Sequence, residues 1–230
     1  MASYKLIKNC TVDDAPGLAI NNMTAFYGEP WWQMQWEKPL EEIIKSSTVR
    51  YPHNLLKNRQ AARHQKVVDT STGQLVGYAR WVLPESHAHC WLEAQVPDVN
   101  DDDKRRFKSA FELTPWDTRP ETDNSDYPIG AQFRKHAPKG PYIKLDYLGV
   151  HPDHHHRGIG TTLVQAGISI ANQLKTDLYL IAMGQNAYKM YKKCGFEELD
   201  SLSQDLRQWD REGTYDTWIM IKHCVAHDEN

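Results

Sequence analysis

KLDYLGVHPDHHHRGIGTT, residues 144–162, is the stretch on which the fold turns. Leu145 to Val150 form a loosely alternating apolar run, the pattern of a largely buried strand. A turn follows at His151, Pro152 and Asp153, then three histidines, then Arg157-Gly158-Ile159-Gly160. Beyond it Ile159, Leu163, Ala166, Gly167, Ile170 and Leu174 recur at helical spacing. The order predicted is strand, glycine loop, helix. Two glycines at a helix mouth admit a ligand close to the backbone, and the free amides of the first turn point one way. Such a place binds a phosphate or pyrophosphate. A glycine loop alone does not say whose phosphate it is.

The chain of 230 residues is long enough for one good-sized domain, spanning residues 1–230 with an insertion at about 85–140. A net charge of −3 lacks the basic excess that nucleic acid or an anionic membrane would call for. The N-terminus has no signal-peptide pattern, and no apolar run reaches membrane-spanning length. Cys10, Cys90, Cys194 and Cys224 lie far apart with no CxxC pair, which points to reduced thiols in an intracellular protein. The expectation is a cytoplasmic protein, with the nucleus left open, acting as a monomer or homodimer.

Outward from the glycine loop, Tyr4 to Asn9 alternates as a strand. Thr11 offers an N-cap, and Leu18, Ile20, Met23 and Phe26 mark a helix ending near Gly28. Phe26, Tyr27, Trp31, Trp32 and Trp36 then crowd together. They read either as a hydrophobic lid on the core or, for Phe26, Tyr27, Trp31 and Trp32, as walls of an acceptor pocket. Leu40–Ser47 and Asn54–His64 read as two short helices. From Gln65 the period becomes two: Val67 and Val68, the turn Asp69-Thr70-Ser71-Thr72-Gly73, then Leu75 to Leu83 predict a hairpin closed by Pro84. Residues 85–140 carry little pattern, and helices are expected near Asp101–Leu113 and Ile129–Lys135 because a structureless loop of that length is unusual. The run DVNDDDKRR reads as a solvated face, or else as a guard over a substrate entrance. Downstream come a strand over Asp177–Ala182, a helix over Asn186–Lys193 stopped by Gly195, and strands over Phe196–Leu202 and Thr214–His223, with a frayed tail from Ala226.

Together these pieces resemble the GNAT superfamily of acetyl-coenzyme A-dependent N-acetyltransferases. The family's Q/R-x-x-G-x-G/A loop between strand and helix is matched by His155-His156-Arg157-Gly158-Ile159-Gly160. Its second signature, a tyrosine four positions before Gly-Phe, is matched by Tyr191 to Phe196. The hairpin TGQLVGYARWVLP resembles the family's second and third strands, and the chain's ending resembles fungal members of unassigned substrate. The likeness covers about 64–83 and 142–222, is weaker over 1–30 and is absent through the insertion. It implies an α/β (α+β) fold: a mixed, mostly antiparallel sheet, splayed at its central strands and flanked by helices. His155 departs from the family's Gln or Arg, which puts one diphosphate contact in doubt.

The resemblance also implies roles. Amides from His156 through Arg157, Gly158, Ile159 and Gly160 to Thr161, with the Thr161 or Thr162 hydroxyl, would hold the coenzyme A diphosphate. Each bond to a charged oxygen is worth roughly 1.5–3 kcal/mol, against ~0.3–1 kcal/mol for the helix end. An amide among Leu148, Gly149 and Val150 would bind the thioester oxygen, and Asn186 and Lys193 would touch the cofactor. Tyr191 would protonate the departing thiolate, or else is a core tyrosine. An alkylamine is cationic at neutral pH, so a base is needed. Asp146 stands where some relatives place a catalytic histidine. It is either that base, directly or through water, or a carboxylate paired with Lys144 or another cation. Lys144 itself replaces a glutamate of other relatives, which weighs against protein-lysine acetylation of that type. His151, His154, His155 and His156 are read as positive potential beside the phosphates, since neighbouring loop histidines converge poorly on one ion, and no metal is expected. The expected activity is acetyl transfer from acetyl-coenzyme A to a small-molecule primary amine by direct attack. A protein or peptide acetyltransferase and a non-catalytic acyl-coenzyme A sensor are the alternatives.

Overall fold

The computed structural model describes residues 3–224, so the expected tail from Ala226 lies outside the described residues. Seven strands form one sheet: β1 (Tyr4–Ile7), β2 (Ala62–Asp69), β3 (Leu75–Val82), β4 (Tyr142–Val150), β5 (Asp177–Met183), β6 (Glu197–Asp205) and β7 (Thr214–Lys222). Their spatial order is β1-β2-β3-β4-β5-β7-β6, and every neighbouring pair is antiparallel except β4 and β5. The helices are α1 (Ala15–Ala25), α2 (Pro30–Gln33), α3 (Leu40–Leu56), α4 (Asp101–Leu113), α5 (Tyr127–Lys135), α6 (Ile159–Gln173) and α7 (Gly184–Lys193). This is the mixed, mostly antiparallel architecture expected from the sequence. No helix among the described residues is long and apolar enough to cross a membrane.

Two faces of the sheet are covered by different means. On one, α6 lays Ile159, Leu163, Val164, Gly167, Ile168 and Ala171 onto Val67, Trp81, Leu145 and Leu180. That stripe is rotated slightly from the sequence reading, with Ala166 and Ile170 at its margin. Gly167 is required by close approach, because a Cβ there would lie 2.2 Å from the Trp81 ring. Trp81 is fully buried, and its Nε1–H donates to Gln65 Oε1 at 3.1 Å, which satisfies its polar atom. On the other face α1 and α3 cover Cys10, Leu75 and Tyr78 with Leu18 and Leu55. Leu40–Leu56 is a single helix running through Pro52, and β2 begins already at Ala62. The helix expected over Asn54–His64 therefore does not exist. Burial of Leu55 on the inner face of α3 and of Arg63 and His64 within β2 overrides the local pattern. The expected helices at 101–113 and 129–135 are present, and α4 buries none of its residues, as a solvated face should.

Two irregularities set the course of β4. Its parallel pairing with β5 runs only from Tyr142↔Asp177 to Leu145↔Leu180, after which the strands part. Against β3, Trp81 opposes Leu145 and Arg80 opposes Tyr147, so Asp146 is an extra, bulged residue. Asn21 of α1 helps hold the parted half of β4, its Nδ2 donating to the Gly149 carbonyl at 3.2 Å.

β2 carries a buried imidazole. His64 is 1% exposed, its Nδ1 sits 2.8 Å from the Tyr78 hydroxyl, and its Nε2 has no partner among the described residues. Burial, reinforced by Arg80 and Arg63 and opposed by Asp146, pulls its pKa from 6.5 down to about 3. The folded chain thus keeps His64 neutral where the unfolded chain would protonate it. Stability from this group is complete above pH 6.5 and is lost as pH falls toward 3. Chemical denaturation should find the protein about 2 kcal/mol less stable at pH 5 than at pH 7.5 from this residue alone. His64→Gln should flatten that part of the profile; an unchanged slope would mean the imidazole is hydrated.

Candidate active site

A cleft of about 550 Å³ opens where β4 and β5 part. The His151 N–H donates to the Val76 carbonyl at 3.0 Å, so residues 149 and 151 turn their backbone groups toward β3. Leu148 and Val150 turn theirs the opposite way, into the gap that β5 has left. The Val150 carbonyl there accepts a bond from His155 Nε2 at 3.0 Å. Leu148 and Val150 thus present amide donors to the cleft, with no strand to receive them.

The glycine turn forms the adjoining wall. Gly158 takes a φ of +79°, a conformation that suits glycine, and caps α6. A Cβ on Gly160 would stand 2.8 Å from Met190 Sδ of α7, so a side chain there would have to push the methionine aside. Gly158, Ile159, Gly160 and Thr161 line the cleft together with His154, His155 and His156. Opposite, α7 contributes Asn186, Lys189 and Lys193. First-turn amides, a side-chain-free approach and two lysines fit a ligand carrying a diphosphate.

Tyr191 faces the same cleft and is otherwise buried, 5% exposed, with its ring edge against Phe196 at 5.5 Å. Its hydroxyl has no hydrogen-bond partner among the described residues. Burial, with a smaller contribution from Cys194, pushes the phenol well above its usual value, so it is protonated at physiological pH. Phe26, Glu29, Trp31 and Met183 also line the cleft. Trp31 stacks on Tyr215 with centroids 5.0 Å apart and packs against Phe26 at 5.5 Å.

The acetyltransferase (GNAT) family model matches residues 28–196. The chain belongs to the GNAT family. No curated protein sequence matches it. Among solved structures, a Corynebacterium glutamicum protein described as histone acetyltransferase HPA2 and related acetyltransferase is similar at a TM-score of 0.59, 16% identity and 99% of both chains covered. A mosquito arylalkylamine N-acetyltransferase-like protein shares 12% identity at a TM-score of 0.52, with 96% of this chain and 100% of that one covered. The Drosophila melanogaster polyamine N-acetyltransferase gives the same identity, score and coverage. At these identities the likeness establishes the fold.

Within this GNAT fold the expected site residues separate into two groups. Leu148, Gly149, Val150, His155, His156, Gly158, Ile159, Gly160, Thr161, Asn186, Tyr191 and Lys193 line one cleft, joined by Phe26 and Trp31. Others lie elsewhere. Arg157 turns toward β1 and donates to the Tyr4 hydroxyl at 2.8 Å. Thr162 bonds back to the Gly158 carbonyl at 3.0 Å within its own helix turn. Tyr27 and Trp32 point to the other side of α2, where with Trp36 they line a separate depression.

Asp146 is the main correction. Its Oδ2 accepts from Arg80 Nε at 2.7 Å and Nη2 at 2.6 Å, and its Oδ1 lies 2.6 Å from Lys144 Nζ. Burial pushes its carboxyl up, but Arg80 and Lys144 outweigh burial and hold the pKa below the usual value. A carboxylate with both oxygens engaged by cations is a poor proton acceptor, and Asp146 is absent from the cleft wall. The pairing alternative is the one the geometry favours. The bulge is the reason: it turns Asp146 to the Arg80 side instead of the Val150 side. Sequence reasoning also missed Glu29 and Lys189. Lys189 was legible as one helical turn before Lys193. Glu29, beside a proline in a turn, carried no pattern. Among the described residues no three His, Cys, Asp or Glu side chains converge as a metal site, and Cys194 is buried packing.

Proposed function

We propose that this chain transfers an acetyl group from acetyl-coenzyme A to the primary amine of a small molecule, without a covalent enzyme intermediate. The observation that carries the reading is one cleft holding four requirements together. These are the free Leu148 and Val150 amides, the Gly158–Thr161 turn, the unpartnered Tyr191 hydroxyl and the Glu29 carboxylate. Acetyl-coenzyme A supplies an activated thioester. The amides from Gly158 to Thr161 hold its diphosphate, aided by Lys189 and Lys193. The Leu148 and Val150 amides stabilise negative charge developing on the carbonyl oxygen. Glu29 attracts the ammonium form of the acceptor and takes up its proton, directly or through water, while Phe26 and Trp31 hold its apolar body. Tyr191 donates its proton to the departing sulfur.

Lys189, Lys193 and Glu29 line the same cleft, so cationic and anionic side chains are both at hand. That pairing favours an acceptor whose only strong charge is its ammonium. The arylalkylamine and polyamine names of two structural neighbours agree with such acceptors. Free-thiol release from acetyl-coenzyme A, measured across arylalkylamines, polyamines, amino sugars, amino acids and peptides, tests this. Amine-dependent release is expected, strongest for amines without a carboxylate. Tight binding of acetyl-coenzyme A without release for any amine would make the chain a sensor, and release confined to peptides would make it a protein acetyltransferase.

A further inference from the structure

Residues 114–122, part of the insertion between β3 and β4, close over the aromatic turn from outside. Trp36 and Thr118 form an isolated antiparallel bridge, the Arg119 N–H donates to the Gln35 carbonyl at 2.9 Å, and Lys38 pairs with Asp117. The Arg119 side chain, 12% exposed, stands at the centre. Its guanidinium donates to the carbonyls of Met34 at 3.3 Å and Trp209 at 3.5 Å, and Nη2 lies 2.6 Å from Glu121 Oε1. Carboxylates of Glu37 and Asp210 stand at 3.9 Å. One residue therefore ties the α2–α3 turn, the insertion and the β6–β7 turn together. Trp209 Nε1 closes the arrangement by donating to the Glu121 carbonyl at 3.2 Å.

The same aromatic segment also reaches the cleft. Glu29 caps α2 and Trp31 lies in its first turn, both lining the cleft, and a helix of four residues cannot hold itself in place. We propose that Arg119 is a positioning residue for the acceptor amine: by anchoring this turn it sets where Trp31 and Glu29 stand, and so which amine bodies fit. The inference rests on the N-acetyltransferase reading. A planar guanidinium suits the role, because several fixed donors can hold carbonyls and a carboxylate at once where a lysine offers a point charge.

The test is steady-state kinetics of Arg119→Gln and Arg119→Lys over an amine panel, with acetyl-coenzyme A affinity measured by calorimetry. Amine kcat/KM should fall about 10- to 100-fold, mainly through KM, because displaced substrate-positioning groups lose that much. The rank order of amines should change. Acetyl-coenzyme A affinity should stay within about twofold, as expected for a distant site. Glu121→Gln, which loosens the fork without removing it, should shift the same constants less and serves where the Arg119 variants fail to fold. Folded variants with unchanged amine KM and rank order would overturn the proposal. Equal losses in amine and cofactor affinity would also overturn it, as the mark of general loosening. Absence of amine-dependent thiol release in the wild type is a separate result, which would sink the acetyltransferase reading and this proposal with it.

Discussion

Tyr191→Phe should lower kcat by about 10²- to 10⁴-fold, the range for loss of a general acid, while acetyl-coenzyme A binds within about twofold of wild type. The substitution keeps the ring and its contact with Phe196, and removes only the hydroxyl that faces the cleft. Burial raises the phenol, which has two consequences. The proton is retained until a thiolate begins to form, so the residue is charged correctly for donation. It also means Tyr191 cannot cause a fall in rate on the alkaline side below about pH 10, where an ordinary tyrosine begins to ionise. Any basic limb at lower pH must belong to another group. A kcat unchanged in the variant would remove Tyr191 from the acid role, and a kcat loss matched by lost cofactor affinity would make it a packing residue.

Legibility followed the range of the interaction. The strand, glycine turn and α6 are contiguous, and their pattern comes from local periodicity and from glycine positions that Met190 and the turn itself demand. The hairpin was equally local. What failed depended on contacts across the chain. Regular strand alternation would set Asp146 on the Val150 side, and one bulge, visible only against β3, reverses it. Phe26, Tyr27, Trp31 and Trp32 look alike in sequence, yet in each adjacent pair one ring lines the cleft and the other a separate depression. His155, out of pattern for the family, turned out to bond the Val150 carbonyl, so it supports β4 and the loop at the same time. Arg119 meets partners far away in the chain, and its contacts left no local trace.

Arg63→Met should cost about 3 kcal/mol or more of unfolding free energy, with the loss concentrated in the loop after β3. Arg63 is fully buried, and its guanidinium bonds run to backbone carbonyls instead of a carboxylate. Nε and Nη2 reach the Cys90 carbonyl at 3.0 and 2.8 Å, Nη2 reaches Ala88 at 2.6 Å, and Nη1 reaches Ala62 at 2.9 Å and Gln60 at 3.0 Å. Methionine fills much of the same space but leaves these acceptors empty, at about 1–3 kcal/mol for each one that stays dry. Relief of the buried charge offsets part of that. Carbonyls of Ala88 and Cys90 can escape the penalty only by moving into water, which detaches the loop from β2. Trp91 of that loop packs on Trp81 with ring centroids 6.2 Å apart, so detachment should expose it and raise hydrogen exchange and proteolysis over residues 85–95. The cleft between β4 and β5 contains none of these residues, and affinity for acetyl-coenzyme A should persist. Arg63→Lys should fall between, because three donors on one nitrogen cannot reach carbonyls spread around the edge of a planar guanidinium. Wild-type exchange rates across 85–95 in the methionine variant would mean that apolar packing alone, and not the buried cation, holds the insertion to the sheet.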